Sequence, residues 1–252
     1  FEPSERLRPF VRNIQVMETA SAVTRHVLPT PGLVLGIRFA GSASLVEGGV
    51  SRQLGSTGLT GVRTTLRCMH TSAGGGIVVV AFRELGGAQF FDEPLHEIFG
   101  SMIALRELAS YREWNGVEER VALAGTPAER VAIVDDYLCR RLRERATDPL
   151  VAAATTSIAR HGGALRIRAL AKELGTSQDP LEKRFRRVVG ASPKQFAKIV
   201  RFLRVVRGFE RGRPLTELAH QAGYFDQPHL VRDFHAVTGE APERFLRTRE
   251  HC

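Results

Sequence analysis

The chain lacks what would tie it to a membrane or an oxidising compartment. Nowhere in its 252 residues does an apolar run approach the roughly 20 residues that a membrane-spanning helix needs. No secretory leader is legible, so a cytoplasmic setting is expected. Cysteine is scarce: Cys68, Cys139 and Cys252 are the three in the chain. Their wide spacing suits neither a disulfide framework nor a metal-ligand pair, which agrees with a reducing compartment.

Catalytic motifs are missing too. There is no G-x-S-x-G and no phosphate-binding P-loop. Three glycines at Gly74–Gly76 precede a strand-like run, the reverse of the order in a dinucleotide loop. His26, His70 and His96 stand singly, without the clustered ligands of a metal centre. Cys68 has no evident neighbouring base. The expectation is a protein that is not an enzyme and carries no cofactor and no metal.

Net charge is also absent from one half of the chain. Residues 1–148 contain no lysine; their 17 arginines face 17 acidic residues and cancel. Residues 149–252 hold 19 Lys plus Arg against 10 Asp plus Glu, and so carry the whole net charge of +9. A basic half beside a neutral half assigns a polyanion to one part and another task to the other.

What is present is a duplication. "LAHQAGYFDQPHLVRDF" runs from Leu218 to Phe234, and "LAKELGTSQDPLEKRF" from Leu170 to Phe185. In the later copy Leu215, Leu218, Ala219 and Ala222 share one helical face. Gly223 ends that helix in the left-handed conformation. Asp226 is placed to cap a new helix, with Pro228 in its first turn and Leu230, Phe234 and Val237 on its apolar face. Gln227, His229, Arg232 and Asp233 are expected to point away from the core. Each copy continues into G-x-x-P-x-x-F: Gly190, Pro193 and Phe196, then Gly239, Pro242 and Phe245. The turn of the second copy is one residue longer, with Tyr224-Phe225 where the first has Thr176. Two helix–turn–helix units are the reading; a plain helical bundle with a repeated hairpin is the bland alternative.

Around this pair the chain divides. Residues 1–92 read as short strands, among them Gly32–Gly41, Gly61–His70 and Gly76–Phe82, enough for a small barrel or sandwich. From Pro94 the period turns helical, with helices expected from Pro94 and from Pro127. Val131, Val134, Leu138 and Leu142 form one stripe of the second, and either seal a private core or face a partner. Ala146–Pro149 is the expected boundary. Beyond it helices are expected at about 149–161, 167–174, 177–189, 193–210, 215–222, 226–237 and 241–247. The fold class is therefore α+β: a β-rich domain with following helices at 1–148, and an all-α domain at 149–252.

The duplicated segment resembles the AraC/XylS family of bacterial transcription regulators over about 149–248. "LAKELGTS…L.KRFRR..G.SPKQF" and "LTELAHQAGYFDQPHLVRDFHAVTGEAPERF" carry the resemblance. On fewer residues, "HVLPTPGLVLGIRF" and "IVVVAFRELGGAQFF" resemble the β-rich sensing domains of that family. The resemblance implies two helix–turn–helix units joined by a long helix at Pro193–Glu210. It implies double-stranded DNA as partner, a small-molecule effector, a homodimer and contact with RNA polymerase. Gln178, Asp179, Glu182 and Lys183 would face bases from the first unit, and Gln227, His229 and Arg232 from the second, because arginine grips guanine and glutamine grips adenine. Arg184, Arg186, Arg187, Lys194, Lys198, Arg201, Arg204 and Arg207 are the phosphate candidates. Asp179 and Glu182 make the first unit acidic for a helix beside phosphates; they accept from cytosine, or Glu182 pairs with Arg186 one turn on. Val131, Val134, Leu138 and Leu142 are the dimer-interface candidates. No ligand-binding residue is legible. A regulator that senses a small molecule, one governed by a protein partner, and an enzyme fused to a DNA-binding module all remain open.

Since the net charge lies in residues 149–252, that fragment is expected to bind duplex DNA alone, and to release it steeply as salt rises. Titration at several salt concentrations checks this; binding without salt dependence would contradict it.

Overall fold

The computed structural model describes residues 1–47, 49–108, 116–209 and 214–248. Cys252 and Glu210, named above, and the end of the helix expected from Pro94 lie outside these residues.

The β-rich half is two antiparallel sheets. One has the order β1-β8-β3-β6-β9, from β1 (Val11–Thr19), β3 (Val34–Ala40), β6 (Thr57–Thr60), β8 (Gly75–Phe82) and β9 (Met102–Ala104). The other has the order β2-β7-β4-β5, from β2 (Val23–Val27), β4 (Ala43–Glu47), β5 (Val50–Gln53) and β7 (Arg67–Thr71). Alternation sets the inner face: on β8 Val78, Val80 and Phe82 are buried, as are Leu35 and Ile37 on β3. Phe82 packs on Phe90 and Phe91 with ring centroids 5.1 and 5.9 Å away.

Two helices close this half, α1 (Val117–Leu123) and α2 (Pro127–Arg141). Thr126 and Glu129 cap α2 reciprocally: the Glu129 amide donates to Thr126 Oγ1 at 3.2 Å, and the Thr126 amide to Glu129 Oε2 at 3.2 Å. The stripe Val131, Val134, Leu138 and Leu142 lies in the same core as β1, β3 and β8, and each of the four is buried. This corrects its assignment as a dimer interface. The stripe is private core, so a second copy of the chain has to use another face.

Two further expectations are corrected. The helix expected from Pro94 is a 3-10 turn at Leu95–Ile98, then β9, then another 3-10 turn at Leu105–Glu107. Pairing of β9 with β6 supplies main-chain bonds that outweigh local helix propensity. Gly61–His70 is not one strand; only its end joins β7. Between Gly61 and Leu66 the chain passes inside, where the Arg63 guanidinium donates to the carbonyls of Val27 at 2.7 Å and Leu28 at 2.8 Å.

Residues 142–148 connect α2 to α3 (Pro149–Arg160) and are laced to the loop after β8. Gln89 donates to the Arg145 carbonyl at 3.0 Å and accepts from its amide at 2.7 Å. Asp92 accepts from Arg143 and Arg145, and these bonds hold its carboxyl down at about 2.

The second half is helical: α4 (Ile167–Glu173), α5 (Gln178–Val189), α6 (Pro193–Gly208), α7 (Leu215–Gln221), α8 (Gln227–Thr238) and α9 (Pro242–Thr248) follow α3. Repetition of G-x-x-P-x-x-F has a physical reason. Gly190 and Gly239 close α5 and α8 in the left-handed region at φ 88° and 74°. Pro193 and Pro242 open the next helices. Phe196 and Phe245 are then buried against Phe185 and Phe234, with centroids 5.5 Å apart in both copies. Each such edge-on pair adds about 0.5–1.5 kcal/mol beyond its buried area.

Neither unit is closed by helices alone. Leu28, before β3, and Leu66, before β7, join the core of Phe202, Val205, Leu218, Tyr224 and Leu230. The Leu66 amide donates to the Val237 carbonyl at 3.0 Å. Leu85 packs on the core of the first unit, and Val62 on Ala191 and Ile199. No helix among the described residues is long and apolar enough to cross a membrane.

Val134→Glu with Leu138→Glu places two unpaired carboxylates in the β-rich core. Against a typical stability of about 5–15 kcal/mol, that cost unfolds this half rather than splitting a dimer. Circular dichroism with light scattering checks it. A double variant that stays folded would show that the stripe faces outward.

Candidate functional site

The exposed faces of α5 and α8 form the candidate nucleic-acid interface. In each unit a short helix buries Leu170 or Leu218, a left-handed glycine turns the chain, and the next helix runs outward. Gly223, at φ +81°, shows the constraint: a Cβ there would lie 2.3 Å from the Cβ of Ala164. Asp226 caps α8 by accepting from the His229 amide at 2.8 Å. The extra residue of this turn divides the labour. Tyr224 is buried, while Phe225 is 86% exposed. The Tyr224 ring lies edge-on to His229 and under the Arg201 guanidinium, 4.7 Å away. Burial pushes the Tyr224 hydroxyl up to about 12.

The polar residues named from sequence separate into committed and available groups. Arg184 makes two bonds of 2.7 Å to Asp148, the residue that caps α3, so it fastens α5 to the connecting segment. Desolvation opposes ionisation of Asp148, but the bonds from Arg184 and the Val151 and Leu150 amides outweigh it and lower its pKa. Arg186 donates to Glu182 at 2.9 and 3.1 Å, the pairing weighed above. Arg201 and Lys198 converge on Asp233 at 3.1 and 3.4 Å. Asp233, expected to face solvent, turns instead toward α6, 17% exposed. Arg184, Arg201 and Lys198 thus hold helices in place and are corrected as free phosphate ligands.

Lys183, Arg187, Lys194, Arg204, Arg207 and Arg232 remain exposed and make no ion pair among the described residues. Lys183 and Arg232 occupy the same place on α5 and α8. Gln178 and Asp179 are exposed on the first turn of α5, beside half-buried Glu182. Gln227 accepts from the Thr216 hydroxyl at 3.0 Å, which leaves its amide nitrogen to donate. His229 keeps 36% of its side chain exposed, 3.8 Å from Asp233. His235 was missed: it is exposed one turn beyond Arg232 on the same face, and helical spacing from Arg232 was the available signal.

The sequence also gave no hint of a cavity between the two sheets. Its volume is about 270 Å³, and Val27, Val34, Met69, Ile77, Val79 and Met102 supply apolar wall. Arg25, Arg38, Arg52, Arg63, Arg67 and Arg106 also line it, against Glu18 and Glu107. Among the described residues no group of three His, Cys, Asp or Glu could hold a metal ion.

Comparison with known proteins agrees with this geometry. Residues 170–248 match the family described as a helix-turn-helix domain. A variant of ToxT from Vibrio cholerae, solved in the apo state, is similar over 93% of this chain and 96% of its own, at 13% identity and TM-score 0.51. ToxT solved with (E)-4-(8-methylnaphthalen-1-yl)but-3-enoic acid is similar over 93% and 97%, at 14% identity and TM-score 0.50. No curated protein matches the sequence. Residues 170–248 of the chain are thus a helix–turn–helix domain, and a β-rich half precedes them.

Arg232→Ala is expected to relax sequence preference in one subsite at a cost of about 1–3 kcal/mol, the range for a bidentate base contact. Lys194→Ala is expected to weaken all duplexes alike. Competition binding with matched and scrambled sites separates the two. Unchanged preference in the Arg232 variant would remove that residue from the base-reading set.

Proposed function

We propose that the chain is a sequence-specific transcription regulator that reads two adjacent DNA subsites and responds to a small molecule held in its β-rich half. One observation carries the reading: α5 and α8 present an unpaired cation, Lys183 and Arg232, at equivalent places, while Arg184 of α5 and Asp233 of α8 are fastened to the scaffold. At about 1.5 Å per residue, the 16 residues of α6 span about 24 Å between the two units. That length suits entry into successive major grooves, roughly 34 Å apart. Contact with RNA polymerase and a cytoplasmic setting belong to the same proposal, and it includes no catalytic step.

The cavity favours a sensor over a regulator governed only by a protein partner, since a filled barrel would leave a ligand no room. ToxT in complex with an organic acid gives the same reading some support. Selection of duplexes from a random library with the full chain tests the proposal. The expected product is a motif of two blocks about one helical turn apart. Failure to enrich any motif overturns it.

A further inference from the structure

Phe225 does no packing in the turn that it occupies. Among the described residues of the helical half, it is the large apolar side chain left exposed, at 86%. The residue just before a helix cap often packs on the fourth helical residue and so fixes the entry of the chain. Here the cap is Asp226, and the fourth residue is Leu230, which is fully buried. At its exposure Phe225 does not close such a contact. It is outside the core that holds Leu230, where Tyr224 packs instead. The first unit makes the same turn with one residue, half-buried Thr176, where the second has two. The added residue is therefore not needed to close the turn, and the fold leaves its ring in water.

The surroundings of the ring indicate what it meets. Phe225 stands at the N-terminal end of α8, the end that contacts base edges in helix–turn–helix readers. Gln227, with its amide nitrogen left to donate, is two residues on, and exposed Arg232 lies farther along the same helix. A protein partner would need an apolar patch on the order of several hundred Å². No such patch extends from the ring along α8, because Leu230 and Phe234 are buried. A thymine needs only one ring, since its C5-methyl is the apolar group that the major groove displays.

From this, resting on the reading of α8 as a base reader, we propose that Phe225 packs on the C5-methyl of a thymine in the subsite of α8 and so selects an A·T pair there. The contact takes the methyl and one face of the ring out of water together. Cytosine, adenine and guanine carry no methyl to offer in its place. The first unit has no counterpart of Phe225, so this preference belongs to one of the two subsites.

The test uses the full chain and the duplex that it enriches from a random library. In copies of that duplex each thymine in turn, on either strand, is replaced by deoxyuridine, which keeps the hydrogen-bonding groups of thymine and lacks the methyl. Binding followed by fluorescence anisotropy is expected to weaken about three- to fivefold at one thymine, the worth of one buried methyl group. Phe225→Ala is expected to bind the unmodified duplex more weakly by at least that factor and to be indifferent to the same replacement. Phe225→Leu keeps an apolar side chain and is expected to retain part of the response. Both variants should keep the circular dichroism and Tm of the parent, because the ring is exposed. The scan of the parent chain needs no variant: indifference to deoxyuridine at every thymine of an enriched motif overturns the proposal. An equal loss in the parent and in Phe225→Ala also overturns it, and unchanged DNA binding by that variant would assign the ring to a protein partner. A parent chain that enriches no motif overturns the reading of α8 as a base reader, and the proposal with it.

Discussion

The second DNA-reading unit has no complete core of its own. A seven-residue helix and a twelve-residue helix bury Leu215, Leu218, Leu230 and Phe234, but they enclose these only with help. Phe202 and Val205 of α6 supply one side, and Leu28 and Leu66 of the β-rich half another. Short helices are marginal in water and take their stability from packing. The orientation of α8, and so of Arg232, is therefore fixed by residues from three parts of the chain. A fragment starting at 149 keeps both units but loses Leu28, Leu66 and Leu85.

The two units use one local grammar and differ in how they are tethered. Glycine ends each outward helix, proline starts the next, and paired phenylalanines close the angle between them. The first unit is then fastened through Arg184 to Asp148, at the segment joining the halves. The second is fastened through Asp233 to Lys198 and Arg201 on α6. Partly buried pairs of this kind contribute more to fixing geometry than to net stability. Both tethers commit cations to the scaffold, which leaves Lys183, Arg187, Lys194, Arg204, Arg207 and Arg232 as the exposed, unpaired candidates for DNA contact.

The helices of residues 149–248 were legible because their signals are local. Gly190, Pro193, Gly223, Asp226 and Gly239 each act within a few residues, and the ends they imply match the structure closely. The α+β class followed from the change of period near residue 92. Other features depend on distant partners. The segment after Pro94 has helical spacing, yet Met102–Ala104 pairs with β6, more than 40 residues earlier. Arg63 reads as a strand residue, while its guanidinium lies inside the β-rich half. Asp233 has the spacing of a solvent-facing residue and is turned inward by cations 32 and 35 residues away. The stripe from Val131 to Leu142 is apolar in either reading, and only the position of β1 decides that it is core.

Amide hydrogen exchange on the full chain and on Leu28→Ala tests the central claim most directly, that the β-rich half completes the second reading unit. The account predicts faster exchange across α7 and α8 in the variant, with α5 unchanged. Equal exchange in α8 of both proteins would contradict it, and would show that the second unit stands without the β-rich half.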